Sequence, residues 1–198
     1  MNIQLYGPRN GSSLRVHWML AELELPYESM PLDMRAGDHK KPEFLAINPA
    51  AQVPVINVDG FILAESMAIT RYLAAKIKPE LNGKTPEEIA KGMQWELFVT
   101  LKIQQYFSII AIQKWRNAPD PAGEAKAREA LPAQLAILDT YLGTKIYLAG
   151  DEFTTADINA VMGVSYAGFI EYDLSLYKNI QRWMNACTSR PAYISVKG

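Results

Sequence analysis

Near its start the chain reads Tyr6-Gly7-Pro8-Arg9-Asn10-Gly11-Ser12-Ser13, a turn-forming run with one carboxamide and two hydroxyls. An apolar periodic stretch through Trp18, Leu20 and Leu23 follows at once. Polar side chains at a helix start have two uses. They cap free backbone N–H groups of the first turn, or they join those groups in meeting an anion. Asn10, Ser12 and Ser13 are therefore candidates for holding a reactive anion, with plain turn chemistry as the alternative. A second pair, Glu65-Ser66, stands where a strand gives way to a helix. Ser66 as a cap would satisfy one helical N–H, leaving the others and the helix dipole to attract a carboxylate. Capping does not account for the Glu before it; a carboxylate there suits an ammonium group.

Composition narrows the partner. The 198 residues carry 20 Lys and Arg against 21 Asp and Glu, a net charge of −1. With no long run of either sign, the chain lacks the clustered cations that drive binding to nucleic acid or an anionic membrane. A small ligand with charges of its own is expected. The one cysteine, Cys187, cannot form an internal disulfide and reads as a small packed apolar residue, which fits a reducing compartment. The first residues lack the basic and apolar segments of a signal peptide, and no apolar run approaches the ~20 residues of a membrane span. A soluble, cytoplasmic protein is expected.

The elements that position these residues fall into two halves. Ile3 and Leu5 alternate with polar neighbours and predict a strand, Ser12 to Glu24 a helix stopped by Pro26, and Tyr27 to Leu32 a weaker strand. Val53 to Val58 and Phe61 to Ala64, joined by Asp59-Gly60, predict a hairpin, and Ser66 to Ile77 a helix. Residues 79–86 are polar, hold two prolines and read as a linker. From residue 87 to 198 the periodicity is helical: Glu87 to Trp115, Gly123 to Leu142 with a kink at Pro132, Thr154 to Ile170 and Leu174 to Thr188. Residues 1–78 thus predict a small mixed sheet with helices against it, and the rest an all-helical domain.

Four stretches, in this order and spacing, make the sequence resemble the cytosolic glutathione transferases over essentially its whole length. Leu14-Arg15-Val16-His17-Trp18-Met19-Leu20-Ala21-Glu22-Leu23 is similar to the family's first helix. Asn48-Pro49-Ala50-Ala51-Gln52-Val53-Pro54-Val55-Ile56 resembles N-P-x-G-x-V-P-x-L. Glu65-Ser66-Met67-Ala68-Ile69-Thr70-Arg71-Tyr72-Leu73 resembles E-S-x-A-I-x-x-Y-L, and Phe153-Thr154-Thr155-Ala156-Asp157-Ile158 resembles F-S/T-x-A-D-I. The resemblance implies an α/β thioredoxin-like domain over 1–78 that binds glutathione and an all-α domain over 87–198 that forms the electrophile pocket. The second substrate would lie between them, near Phe98, Lys102 and Tyr106. It further implies a cis Val53-Pro54 bond with Val53 backbone groups offered to the peptide, Gln52 as a polar contact, and Glu65 and Ser66 at the γ-glutamyl ammonium and carboxylate. His39, or Lys40 or Lys41 beside it, would meet the glycine carboxylate. Glutathione as co-substrate, no metal and a homodimer, with Met67 and Arg71 on the helix that meets the partner, complete the expectation. Thr154 with Asp157 reads as a structural capping box.

The group that meets the thiol departs from the family pattern. Counting back from Arg15, the position that carries serine in several classes falls on Gly11, and in others on Asn10; the hydroxyls stand at Ser12 and Ser13. Tyr6 lies on the first strand, and no cysteine lies in this loop. Pro8-Arg9-Asn10-Gly11 also resembles bacterial members in which an asparagine precedes the glycine and glutathione reduces disulfides. A serine/asparagine-type bacterial member is expected, with Ser12 first, Asn10 second and Ser13 third. Lowering a thiol pKa from about 8.5 by two units needs roughly 2.7 kcal/mol. A helix start offers about 0.3–2 kcal/mol and a charge-assisted hydrogen bond about 1.5–3 kcal/mol, so one donor plus the helix suffices. Conjugation to a small hydrophobic electrophile is the leading expectation. Disulfide or peroxide reduction, or ligand binding without catalysis, are the alternatives.

Overall fold

The computed structural model describes residues 1–113 and 119–197. In chain order its elements are β1 (Ile3–Tyr6), α1 (Ser13–Glu22), β2 (Glu28–Met30), a 3-10 turn at Asp38–Lys40, α2 (Pro42–Leu45), β3 (Val55–Val58), β4 (Phe61–Ala64), α3 (Ser66–Ile77) and a second 3-10 turn at Pro79–Asn82. Then come α4 (Pro86–Val99), a π-helical segment at Thr100–Gln104, α5 (Gln105–Ile112), α6 (Pro121–Leu142), α7 (Thr155–Val164), α8 (Tyr166–Phe169), α9 (Lys178–Thr188) and α10 (Pro191–Val196). The chain divides into two compact units: Met1–Leu81 with Arg190–Gly198, and Asn82–Ser189.

In the first unit the strands lie in the order β2-β1-β3-β4. β1 pairs parallel with β2 and antiparallel with β3, and β3 pairs antiparallel with β4. The predicted hairpin forms because Asp59 and Gly60 take φ of 52° and 92°, the positive values a two-residue turn of this hand requires. Ile3 and Leu5 are buried, as their alternation predicts, and pair with Val58 and Ile56 of β3, which are buried as well. This is the α/β thioredoxin-like arrangement expected of the first half.

The second unit is helical. In α6 the buried residues Leu131, Leu135, Leu138 and Leu142 recur at helical spacing, and Pro132 is held within one continuous helix. The helix expected over Glu87 to Trp115 is interrupted by the wide turn at Thr100–Gln104; Trp115 lies outside the described residues. The Thr154 to Ile170 stretch divides at Ser165, whose hydroxyl donates to the Met162 carbonyl at 2.9 Å, a local bond that competes with helix continuation.

Two short helices lie outside the helical stretches read from the sequence. α2 and α10 both begin with proline at the first helical turn, where the missing N–H costs nothing. α10 also packs in the first unit. Arg190, just before it, donates from Nε and Nη2 to the two Glu22 oxygens at 2.6 and 2.7 Å, and Tyr193 meets Trp18 edge-on at 4.7 Å. Among the described residues no helix is long and apolar enough to cross a membrane.

Candidate active site

The site is built on α1. Every residue from Ser13 to Leu20 is buried, so the helix is enclosed on all sides rather than along one stripe. Ser12 takes the capping position with φ −66° and ψ −25°, yet its side chain makes no cap bond. Its hydroxyl instead donates to the Val53 carbonyl at 3.1 Å, across the sheet end to the residue before the proline. Capping therefore does not account for Ser12. Ser13 sits deeper: a Cβ on Gly7 would come within 2.6 Å of Ser13 Oγ and 3.3 Å of Val53 Cβ. That close approach explains a glycine at position 7. Ser13 Oγ is buried and has no hydrogen-bond partner, so it lies beneath the surface on which Ser12 is half-buried and Asn10 exposed.

The loop before β3 is fixed by Asn48. Its Nδ2 donates to the Gln52 carbonyl at 2.9 Å, and its Oδ1 accepts from the Ala50 N–H at 3.1 Å. The Val53-Pro54 peptide bond is cis. Pro54 is buried, Val53 is half-buried and the Gln52 side chain is exposed. The structure thus brings Ser12 and Val53 together, residues 41 apart in sequence.

At the start of α3 the expected cap is corrected. Glu65, not Ser66, takes the capping position, with φ 68° and ψ 108° and no side-chain cap bond. The corner from β4 into α3 requires a positive φ there, which a non-glycine residue adopts rarely and mostly at functional sites. Ser66 is the first helical residue, and its Oγ accepts from Arg15 Nη1 at 3.4 Å. Arg15 and Asn48 had only been part of a pattern. The signals were a cation inside the apolar run of α1 and an Asn-Pro pair before a turn.

His39 lies in the 3-10 turn after Gly37, half-buried, with its Nδ1 buried and without a partner. Lys41 beside it pairs with Asp38 at 2.6 Å, and that bond holds the Asp38 carboxyl below the usual range. Lys40 is exposed. Under the opening loop, His17 Nδ1 meets Tyr27 Oη at 2.7 Å. Burial pushes its imidazole from 6.5 down to about 4, with the Arg9 charge adding to this. Among the described residues no group of three or more His, Cys, Asp or Glu is placed to hold a metal ion.

The first unit has a thioredoxin-like fold, with Ser12 at the start of α1 bonded to Val53 and Ser66 at the start of α3 bonded to Arg15 of α1. The comparisons specify the family. Residues 1–75 match the glutathione S-transferase N-terminal domain, and residues 98–191 the glutathione S-transferase C-terminal domain. Glutathione S-transferase 3 of Zea mays is 32% identical over 96% of this chain and 91% of its own length. The crystal structure of glutathione transferase F7 from Populus trichocarpa superposes with a TM-score of 0.87 at 30% identity, covering 98% of this chain and 97% of that one. A glutathione transferase from Burkholderia graminis, with two glutathione molecules bound per subunit, gives a TM-score of 0.89 at 27% identity, over 98% and 87% of the two chains. The chain belongs to the glutathione S-transferase family, a family of enzymes. Its relatives span plants and bacteria, so the comparisons support the family and do not select a bacterial subgroup.

Proposed function

We propose that the protein is a glutathione transferase of the serine/asparagine type that adds the glutathione thiolate to a small hydrophobic electrophile. The observation that carries this reading is the meeting of Ser12 with the Val53 carbonyl at the start of α1. In the proposed complex glutathione lies along the first unit. Val53 accepts the cysteinyl N–H, as an added strand would, with Gln52 alongside. Glu65 and Ser66 take the γ-glutamyl end, and His39 or Lys40 the glycine carboxylate. Ser12 has one proton, now directed at Val53. The bound thiolate is a stronger acceptor than a carbonyl and draws the hydroxyl from Val53 onto the sulfur, while the Val53 carbonyl keeps the peptide N–H. The helix start and this bond together hold the thiolate, the thiol proton passing to solvent; the sulfur then forms a bond to the electrophilic carbon as the bond from that carbon to the leaving group breaks. The electrophile is taken up by the helical unit, and the reaction belongs in the cytoplasm.

The same bond favours a second reading. While Ser12 remains on Val53, the exposed Asn10 carboxamide is the available donor, and a site of that kind suits glutathione-dependent disulfide or peroxide reduction. Calorimetric titration with glutathione, followed by turnover of a chromogenic aryl halide and of a mixed disulfide, separates the cases. Binding with conjugation supports the first reading and binding with reduction alone the second. Binding with neither makes the chain a ligand-binding member of the family.

We infer a homodimer as well. Phe61 and Ile62 on β4 are 50% and 44% exposed, and Met93 and Leu97 on α4, one turn apart, are 44% and 46% exposed. Apolar surface of this kind on two elements suits a second copy. Light scattering at micromolar concentration should give twice the chain mass; a monomer mass contradicts the inference.

A further inference from the structure

Tyr6 has a place that the proposed reaction does not use. It alternates with buried Ile3 and Leu5 along β1 and so lies on the opposite face of the sheet. Its hydroxyl reaches Gln4 Oε1 at 3.5 Å, the long limit of a hydrogen bond. The ring closes one side of a cavity of about 230 Å³, bounded by the end of β1, the chain after β2, and α2. Tyr6, Leu32, Phe44 and Ile47 give it an apolar floor, with the Tyr6 and Phe44 ring centres 6.2 Å apart and the rings tilted by 54°. Asp38, Lys41 and Glu43 give it a charged rim. No residue placed on glutathione in the proposed complex lines it. Two of the rim charges are already matched. Asp38 Oδ1 pairs with Lys41 Nζ at 2.6 Å, and Asp38 Oδ2 accepts the Asp33 N–H at 2.9 Å. The Asp38 bond to Lys41 lowers the one and raises the other, so both stay charged at neutral pH. Glu43, exposed on α2, is the carboxylate left over.

We propose that this cavity is a second ligand site that takes a small arylalkylamine, with its ring on Tyr6 and Phe44 and its ammonium at Glu43. The cavity is smaller than the about 300–1,000 Å³ of sites for drug-sized ligands, so it holds one ring and a short chain. Two carboxylates against one ammonium on the rim favour a cation, and the faces of two aromatic rings favour the same charge. The assignment goes beyond the glutathione reading and stands without it.

The test titrates isotopically labelled protein with phenethylamine and with 3-phenylpropionate, which has the same ring and an anionic end, and follows the backbone amide signals by NMR. Phenethylamine should give saturable shifts centred on Tyr6, Leu32, Phe44 and Ile47. Its affinity should exceed that of 3-phenylpropionate by about fivefold or more, the scale of one exposed charge pair. Glu43→Gln should bring that ratio below about twofold. Ile47→Trp, which fills the cavity, should abolish the saturable shifts with either compound. Glu43 is exposed, so Glu43→Gln keeps the assignment testable if Ile47→Trp does not fold. No saturable shifts at those four residues, or saturation centred elsewhere, overturns the site. So does undiminished binding to folded Ile47→Trp. A wild-type ratio of one or below, or a ratio that Glu43→Gln leaves unchanged, overturns the choice of an amine.

Discussion

Asp157 in the helical unit is fully buried, and four donors converge on it. The Leu148 N–H and Trp183 Nε1 donate to Oδ1 at 2.9 and 2.8 Å, and the Thr154 N–H and hydroxyl to Oδ2 at 2.9 and 3.1 Å. Burial pushes this carboxyl up while those donors pull it down. In the first unit the buried polar groups are treated differently. Ser13 Oγ, His17 Nε2 and His39 Nδ1 have no partner, against Trp95 Nε1 alone in the second unit, among the described residues. Ser66 Oγ receives a bond at the long end of the range. A network closed on itself fixes a fold. Buried polar groups left under-satisfied in a native interior have a reason of their own: a held water, a strained site or a part in function.

Breaking the closed network should cost most. Asp157→Ala strands two backbone N–H groups and the Trp183 indole, each costing about 1–3 kcal/mol when buried and unpaired. Urea denaturation should show a loss of more than about 3 kcal/mol. A loss under about 1 kcal/mol would mean that water replaces the carboxylate and the network is not closed.

The first unit should reveal itself through pH. His17 falls from 6.5 to about 4 on folding, so between those values the unfolded chain binds a proton that the folded chain does not. Stability is then full above pH 6.5 and is lost as pH falls toward 4, by up to about 3 kcal/mol. His17→Gln should flatten that part of the profile; an identical slope in the variant would assign it to other groups. The smallest effect belongs to Ser13→Ala. It removes a hydroxyl that bonds nothing, so stability should change by less than about 0.5 kcal/mol. A larger loss would show that Ser13 has a partner, such as a buried water.

Much of this architecture was legible in the sequence. The Asp59-Gly60 turn, the alternation of Ile3 and Leu5 and the run from Ser66 to Ile77 are local signals, and local signals survive folding. Thr154 and Asp157 likewise announce their capping box by spacing alone. What the sequence did not reveal is nonlocal. The Ser12 to Val53 bond joins residues far apart in the chain, and the reach of Arg15 to Ser66 depends on how α1 packs on α3. The Ser66 cap failed because a strand-to-helix corner placed the positive φ at Glu65.

The central claim is that the start of α1 holds the glutathione sulfur as a thiolate, and thiolate absorbance of the bound peptide against pH tests it most directly. Wild type should titrate one to two pH units below the value of about 8.5 for an unperturbed thiol. If Ser12 is the donor, Ser12→Ala should bind the peptide while returning most of that shift, and Asn10→Ala should do little. If Asn10 is the donor, the two variants exchange roles. Glutathione bound to the wild-type protein with the titration of a free thiol would contradict the account.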